Sequence, residues 1–118
     1  MKSSSLIAPD QGTSLTLTES APAVGHGLVS RTLLATPELR LVLFTFAAGQ
    51  ELTEHTSTSR AVIQVVTGEG EFTAGDSTRI LKAGDILHLP PQMPHAVSAK
   101  SEMTMLLTLA PERKTNAA

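Results

Sequence analysis

Residues 84–99 read GDILHLPPQMPHAVSA, and this stretch decides the fold. Gly84 and Asp85 form a turn signal in which Gly84 can take a positive φ at no steric cost. Leu87 and Leu89 share one face of the short run that follows, which puts His88 on the opposite face, outside or at a dimer contact. Pro90, Pro91 and Pro94 end that run, because proline has no N–H to give to a ladder. His95 then stands at the head of a second short run, Ala96–Ala99. Strand, proline-rich turn and strand is the grammar of an antiparallel sheet.

The same grammar extends outward in both directions. Further strands are expected at Ser14–Thr18, Gly27–Leu34, Leu39–Ala47, Ala61–Thr67, Glu69–Thr73, Thr78–Lys82 and Met103–Leu109, with Asp85–Leu89 and Ala96–Ala99 from the stretch above. Val, Ile, Leu, Thr and Phe dominate them, as pleated surfaces favour. Ala74-Gly75-Asp76 lies between two alternating runs and suggests a hairpin. Thr32–Leu43 comes nearest to a helical period, and Pro37 interrupts it. Many short strands at regular spacing point to a sandwich or barrel. Residues 1–12 read as a flexible N-terminal segment, 13–110 as one domain and 111–118 as a flexible tail.

Composition narrows the function. At 118 residues the chain is one domain, long enough to fold without a staple. It has no cysteine, which removes disulfides, thiol nucleophiles and thiolate metal sites. The net charge is −2, and its nine Lys and Arg form no basic stripe. With three aromatics it also lacks stacking platforms, so nucleic acid is not an expected partner. No stretch approaches the ~20 apolar residues of a membrane span, and residues 1–12 lack a signal-peptide core. A soluble, cytoplasmic protein is the expectation.

Two segments carry a family resemblance. GQELTEHTSTSRAVIQVVTGEG, residues 49–70, resembles the first cupin motif, and residues 84–99 resemble the second. In the first, Gly49 and Gly68 match, and His55 falls at the first histidine position. Ser57 stands at the second histidine position and Ala61 at the glutamate position. In the second, Gly84, Pro90 and His95 match, while Gln92 replaces a glycine and Ala99 an asparagine. The resemblance implies an all-β fold, the antiparallel double-stranded β-helix or jelly-roll barrel, which often pairs into homodimers. It implies a central pocket where three histidines and a glutamate hold a divalent metal. Of those four ligands His55 and His95 remain.

That loss bears on the chemistry. Structural zinc takes four protein ligands and catalytic zinc three. Non-haem iron uses two histidines and a carboxylate. Two imidazoles alone hold a metal weakly. Glu54 points away from His55 on a regular strand, and a bulge is needed to reverse this. Glu51 shares the His55 face only if the strand is regular through four residues. The expected cofactor is therefore a divalent transition metal (Zn, Fe, Mn, Ni or Cu) on His55 and His95, or none.

The pocket set is His55, His95, Ser57, Ala61, Gln64 and Met93. Gln64 has two readings. Alternation from Ala61 places it outside as an edge or interface amide, whereas a pocket position would let it bind a ligand. Met93, Met103 and Met105 are soft donors that favour Cu(I), and thioethers also fill core gaps. His26 reads as a solvated loop residue, and Thr56–Ser59 as a polar loop at the barrel mouth. No phosphate loop or nucleophile elbow occurs.

Three functions compete. The first is a small-molecule-binding cupin of unstated specificity with a degenerate metal site. The second is a metal-dependent dioxygenase, isomerase or lyase whose two-histidine site is completed by water or substrate. The third is a barrel that works through its outer sheet, as a homodimer or partner subunit, motivated by the apolar run Val62–Val66.

Overall fold

The computed structural model describes residues 5–112. Residues 1–4 and 113–118, which belong to the two segments read as flexible, lie outside the described residues. Nine strands follow in chain order: β1 (Leu28–Ala35), β2 (Arg40–Phe46), β3 (Glu51–His55), β4 (Ser59–Thr67), β5 (Glu69–Ala74), β6 (Ser77–Lys82), β7 (Ile86–Leu89), β8 (His95–Ala99) and β9 (Met103–Pro111). They form a five-stranded sheet, ordered β1-β2-β9-β4-β7, and a four-stranded sheet, ordered β3-β8-β5-β6. Every pairing is antiparallel, and the two sheets close into a jelly-roll barrel.

Period-two alternation builds the interior. Ala61, Ile63 and Val65 of β4 are buried while Gln64 between them is exposed. Leu87 and Leu89 of β7 are buried and His88 is exposed, as alternation requires. Met103 and Met105 of β9 share the inward face with Phe46, Phe72 and Val97. The methionines therefore serve as core filler, and the copper reading loses Met103 and Met105. Burying one such side chain is worth about 1.5–3 kcal/mol, so this row supplies a large share of the driving force.

Two sequence expectations fail. Ser14–Thr18 is no strand: Leu17–Ser20 makes one helical turn, α1, with the Glu19 and Ser20 N–H groups donating to the Thr16 carbonyl. A strand there would need a ladder partner, and the free edge of β1 is already used. Leu6 and Ile7 donate their N–H groups to the Thr32 and Leu33 carbonyls at 3.3 and 2.8 Å. Conversely β3 is absent from the strands expected from composition, although the parity argument for His55 supposes one there, because GQELTEH carries one apolar residue and its strand is almost wholly exposed. The Arg31 guanidinium on β1 donates to the Ser20 carbonyl, and α1 also lies near β4. The N-terminal arm thus crosses the outside of the five-stranded sheet. Leu43, Thr45 and Thr104, on that outer side by alternation, are buried as well.

Candidate functional site

The site grows from the pairing of β3 with β8. Val97 and Ala99 of β8 are buried, so His95, two residues before Val97, shares their inward face. On β3, Leu52 pairs with Val97 and His55 pairs with His95. Three residues on β3 thus span two on β8, which is a β-bulge. The bulge lets Leu52 and His55 face inward together, although an odd spacing separates them.

The bulge also settles the carboxylates. Glu51 pairs with Ser98, on the outer row of β8. Glu51 and Glu54, with Glu71, Thr73 and Ser98, line a concavity of about 280 Å³ on the outside of the four-stranded sheet. Neither glutamate joins the histidines, and the regular strand that would have brought Glu51 inward does not exist.

The two imidazole rings meet at the barrel mouth. Their centroids are 4.1 Å apart and their planes make 65°, an edge-to-face contact. His95 is half-buried and His55 exposed. Nδ1 of His55 lies 2.9 Å from the Thr53 carbonyl oxygen, and Nδ1 of His95 lies 2.9 Å from the Met93 carbonyl oxygen. A carbonyl only accepts, so each Nδ1 must carry the proton and donate. Each Nε2 is thereby left as a bare lone pair. Each ring is held by its own backbone two residues upstream, a device that fixes both tautomer and ring orientation.

The remaining members of the expected pocket divide. Ala61 is 3% exposed and pairs with Leu89 and Leu109, so an apolar methyl occupies the position of the missing carboxylate. Met93 is half-buried, packs against the core and lies over Gly75. Ser57 is scaffold. Its Oγ accepts the Ser59 N–H at 3.1 Å, and its carbonyl accepts the Gln92 N–H at 2.7 Å, which ties the β3–β4 loop to the β7–β8 loop. Gln64 faces outward and is exposed, so the pocket reading of Gln64 is corrected by alternation along β4.

Three features were not read from the sequence. Ala74 sits beside His95 on β5, in register, as the second neighbour of that ring. Gln92 adopts a φ of 71°, the left-handed region, at the place where the second motif has glycine. Outside the barrel, Nη1 of Arg60 donates to Nε2 of His88 at 2.9 Å, while its Nε and Nη2 donate to the Glu112 carboxylate at 3.2 and 3.3 Å. The Ala74-Gly75-Asp76 hairpin signal announces the pairing of β5 with β6, not the pairing with β8 that sets Ala74 opposite His95. The Arg60 cluster joins residues far apart in sequence, and no local pattern announces it.

These donors do not fit the four-ligand metal that the resemblance implied. The two histidine rings lie together, but the third position is an alanine methyl and the fourth a hydroxyl engaged as an acceptor in its own loop. Among the described residues no group of three His, Asp or Glu side chains gathers to hold an ion.

Comparison with known proteins agrees with the architecture. A family model described as a cupin domain matches residues 42–110. A conserved protein of unknown function from Streptococcus pyogenes superposes with a TM-score of 0.80 at 26% identity, covering 95% of this chain and 98% of that one. An RmlC-like cupin from Shewanella frigidimarina gives a TM-score of 0.73 at 26% identity, over 88% of this chain and 96% of that one. A cupin 2 conserved barrel domain protein from Leptotrichia buccalis is 33% identical with a TM-score of 0.76. The match covers 81% of this chain and 47% of that longer protein. No curated protein matches.

Proposed function

The chain belongs to the cupin family, and from that premise we propose that it binds a small molecule at the barrel mouth through His55 and His95, without a resident metal. One observation carries the reading: both rings spend their Nδ1 protons on backbone carbonyls, which leaves a bare Nε2 on each of two rings whose centroids lie 4.1 Å apart. Two fixed acceptors favour a ligand that brings hydrogen-bond donors, such as a vicinal diol or an amine. Ala74, in register with His95, and Met93, which packs against the core, supply apolar neighbours. A few placed polar groups on an apolar lining are the ordinary make-up of a small-ligand site.

Elemental analysis tests the first half of this reading. Protein purified without chelator and dialysed should retain far less than one transition-metal ion per chain. A stoichiometric metal that survives dialysis would overturn it. A thermal-shift screen of small polyols, amines and hydroxy acids tests the second half. Hits should vanish in the double variant His55→Ala/His95→Ala.

A second reading rests on the same two atoms, since a bare Nε2 is also a metal ligand. In it the chain is a metal-dependent enzyme whose coordination is completed by water or substrate. Retention of one ion per chain, lost in the double variant, would favour this reading over the first.

A further inference from the structure

The inward rows of the barrel are uneven in charge. Alternation along the strands turns two permanently charged side chains toward the interior, Arg40 on β2 and Arg79 on β6. It turns no carboxylate inward, although the chain has eleven Asp and Glu. Glu51, Glu54 and Glu71 line the outer concavity, and Glu69 is out of phase with the buried Gly70 and Phe72. Arg40 is in phase with the buried Val42 and Phe46, and pairs with Leu109, which pairs in turn with Ala61. Arg79 is in phase with the buried Leu81, and pairs with Phe72, which pairs in turn with Val97. That row lies one step deeper than the row His55, His95, Ala74 and Ser77. Both arginines are exposed, and neither guanidinium makes a hydrogen bond or an ion pair among the described residues.

We propose that the small molecule bound at the mouth is a hydroxylated carboxylate, with its hydroxyls on His55 and His95 and its charge drawn by Arg40 and Arg79. This rests on the reading that the two histidines bind a small molecule, and adds the class of that molecule. The argument is one of complementarity. The two imidazoles offer acceptors, so the end of the ligand that meets them carries donors. A guanidinium offers donors in a fork that matches a carboxylate, and two unpaired ones attract an anion. A carboxylate on the inward rows would repel that anion, and none is there. β6 lies two strand spacings from β8, about 10 Å, a span that an arginine side chain and a short ligand bridge together. An inward-facing charge on an edge strand such as β6 also guards against stray pairing, but a guard alone confers no preference for an anionic guest.

Titration of the whole chain with two probes, followed by amide chemical shifts, tests the proposal. The probes are β,γ-dihydroxybutyrate and its neutral counterpart β,γ-dihydroxybutyramide, which share the vicinal diol and differ in charge. The carboxylate should bind wild type at least about tenfold tighter than the amide, the worth of a charge-assisted hydrogen bond. The double variant Arg40→Gln/Arg79→Gln should bind the two probes equally, with the affinity for the amide unchanged. Both arginines are exposed and unpaired, so this variant should keep the wild-type circular dichroism spectrum and Tm. The variant His55→Ala/His95→Ala should bind neither probe. Equal binding of acid and amide to wild type overturns the proposal, and so does a preference for the acid that survives in the arginine variant. In both of those cases histidine-dependent binding of the amide leaves the reading of the two histidines standing. Failure of both probes to bind wild type at about 50 mM, weaker than the millimolar range, overturns the two together.

Discussion

Replacing Gly68 by alanine should be among the most damaging single-methyl changes in this chain. Gly68 joins β4 to β5 with a φ of 78°, in the left-handed region. A Cβ there would overlap the Glu102 carbonyl oxygen and lie 2.9 Å from both the Met103 Cα and the Ser101 Oγ. Most of that obstruction is backbone and cannot rotate away. The β8–β9 turn it belongs to is pinned to Glu69, whose N–H donates to Ser101 Oγ and whose carbonyl accepts from Lys100 and Ser101. The left-handed conformation costs alanine ~1–2 kcal/mol. Pushing the turn away weakens at least one of these hydrogen bonds, ~1 kcal/mol. It also disturbs Met103, which is fully buried, by a further ~1 kcal/mol or more. The stiffer unfolded chain returns ~0.4–1 kcal/mol. The net loss is about 3 kcal/mol, or about 12 °C in Tm for a domain of this size. Urea and thermal unfolding followed by circular dichroism measure it. Gly25→Ala is the control, because nothing lies within 4 Å of its Cβ and its φ is ordinary, so it should change stability by less than about 0.5 kcal/mol. A loss below about 1 kcal/mol for Gly68→Ala would refute the reasoning.

Other perturbations separate core, strain and surface. Phe72→Ala empties the centre of the barrel and should cost about 3–5 kcal/mol in urea unfolding. Gln92→Gly removes left-handed strain but adds chain entropy, so its midpoint should stay within about 1 kcal/mol of wild type, whereas Gln92→Val should lose about 1–2 kcal/mol. Arg60→Ala breaks an ion pair whose partners are each more than 40% exposed, and should cost under about 1 kcal/mol in the same assay.

Most of the barrel was legible because its strands are half-buried and their alternation is clean. Ile63, Val65, Leu87 and Leu89 reveal their inward faces without help. His95 was legible for the same reason, being in phase with Val97 and Ala99. His55 was legible only by resemblance. Its strand is polar, and the bulge that turns it inward is a property of the pairing with β8, which no run of residues in β3 encodes. The same bulge misled the parity argument for Glu51. Ser14–Thr18 shows the opposite failure: a short Leu/Thr alternation looks like a strand until one asks which edge is free to receive it, and Leu6 and Ile7 already hold the edge of β1. The rotation of Ser57 into its own loop, and the paired Nδ1 anchors, depend on local backbone geometry that spacing alone does not carry.

The account stands on the claim that both rings expose a bare Nε2. A long-range ¹H–¹⁵N correlation spectrum reads this directly, at about pH 9, where an ordinary imidazole is neutral. Assignment by His55→Ala and His95→Ala identifies the two rings, and the exposed loop residue His26 serves as a reference for rapid tautomer averaging. Both site histidines should show the proton fixed on Nδ1 and an unprotonated Nε2. A proton on Nε2 of either ring, or averaging like that of His26 in both, would contradict the site as described.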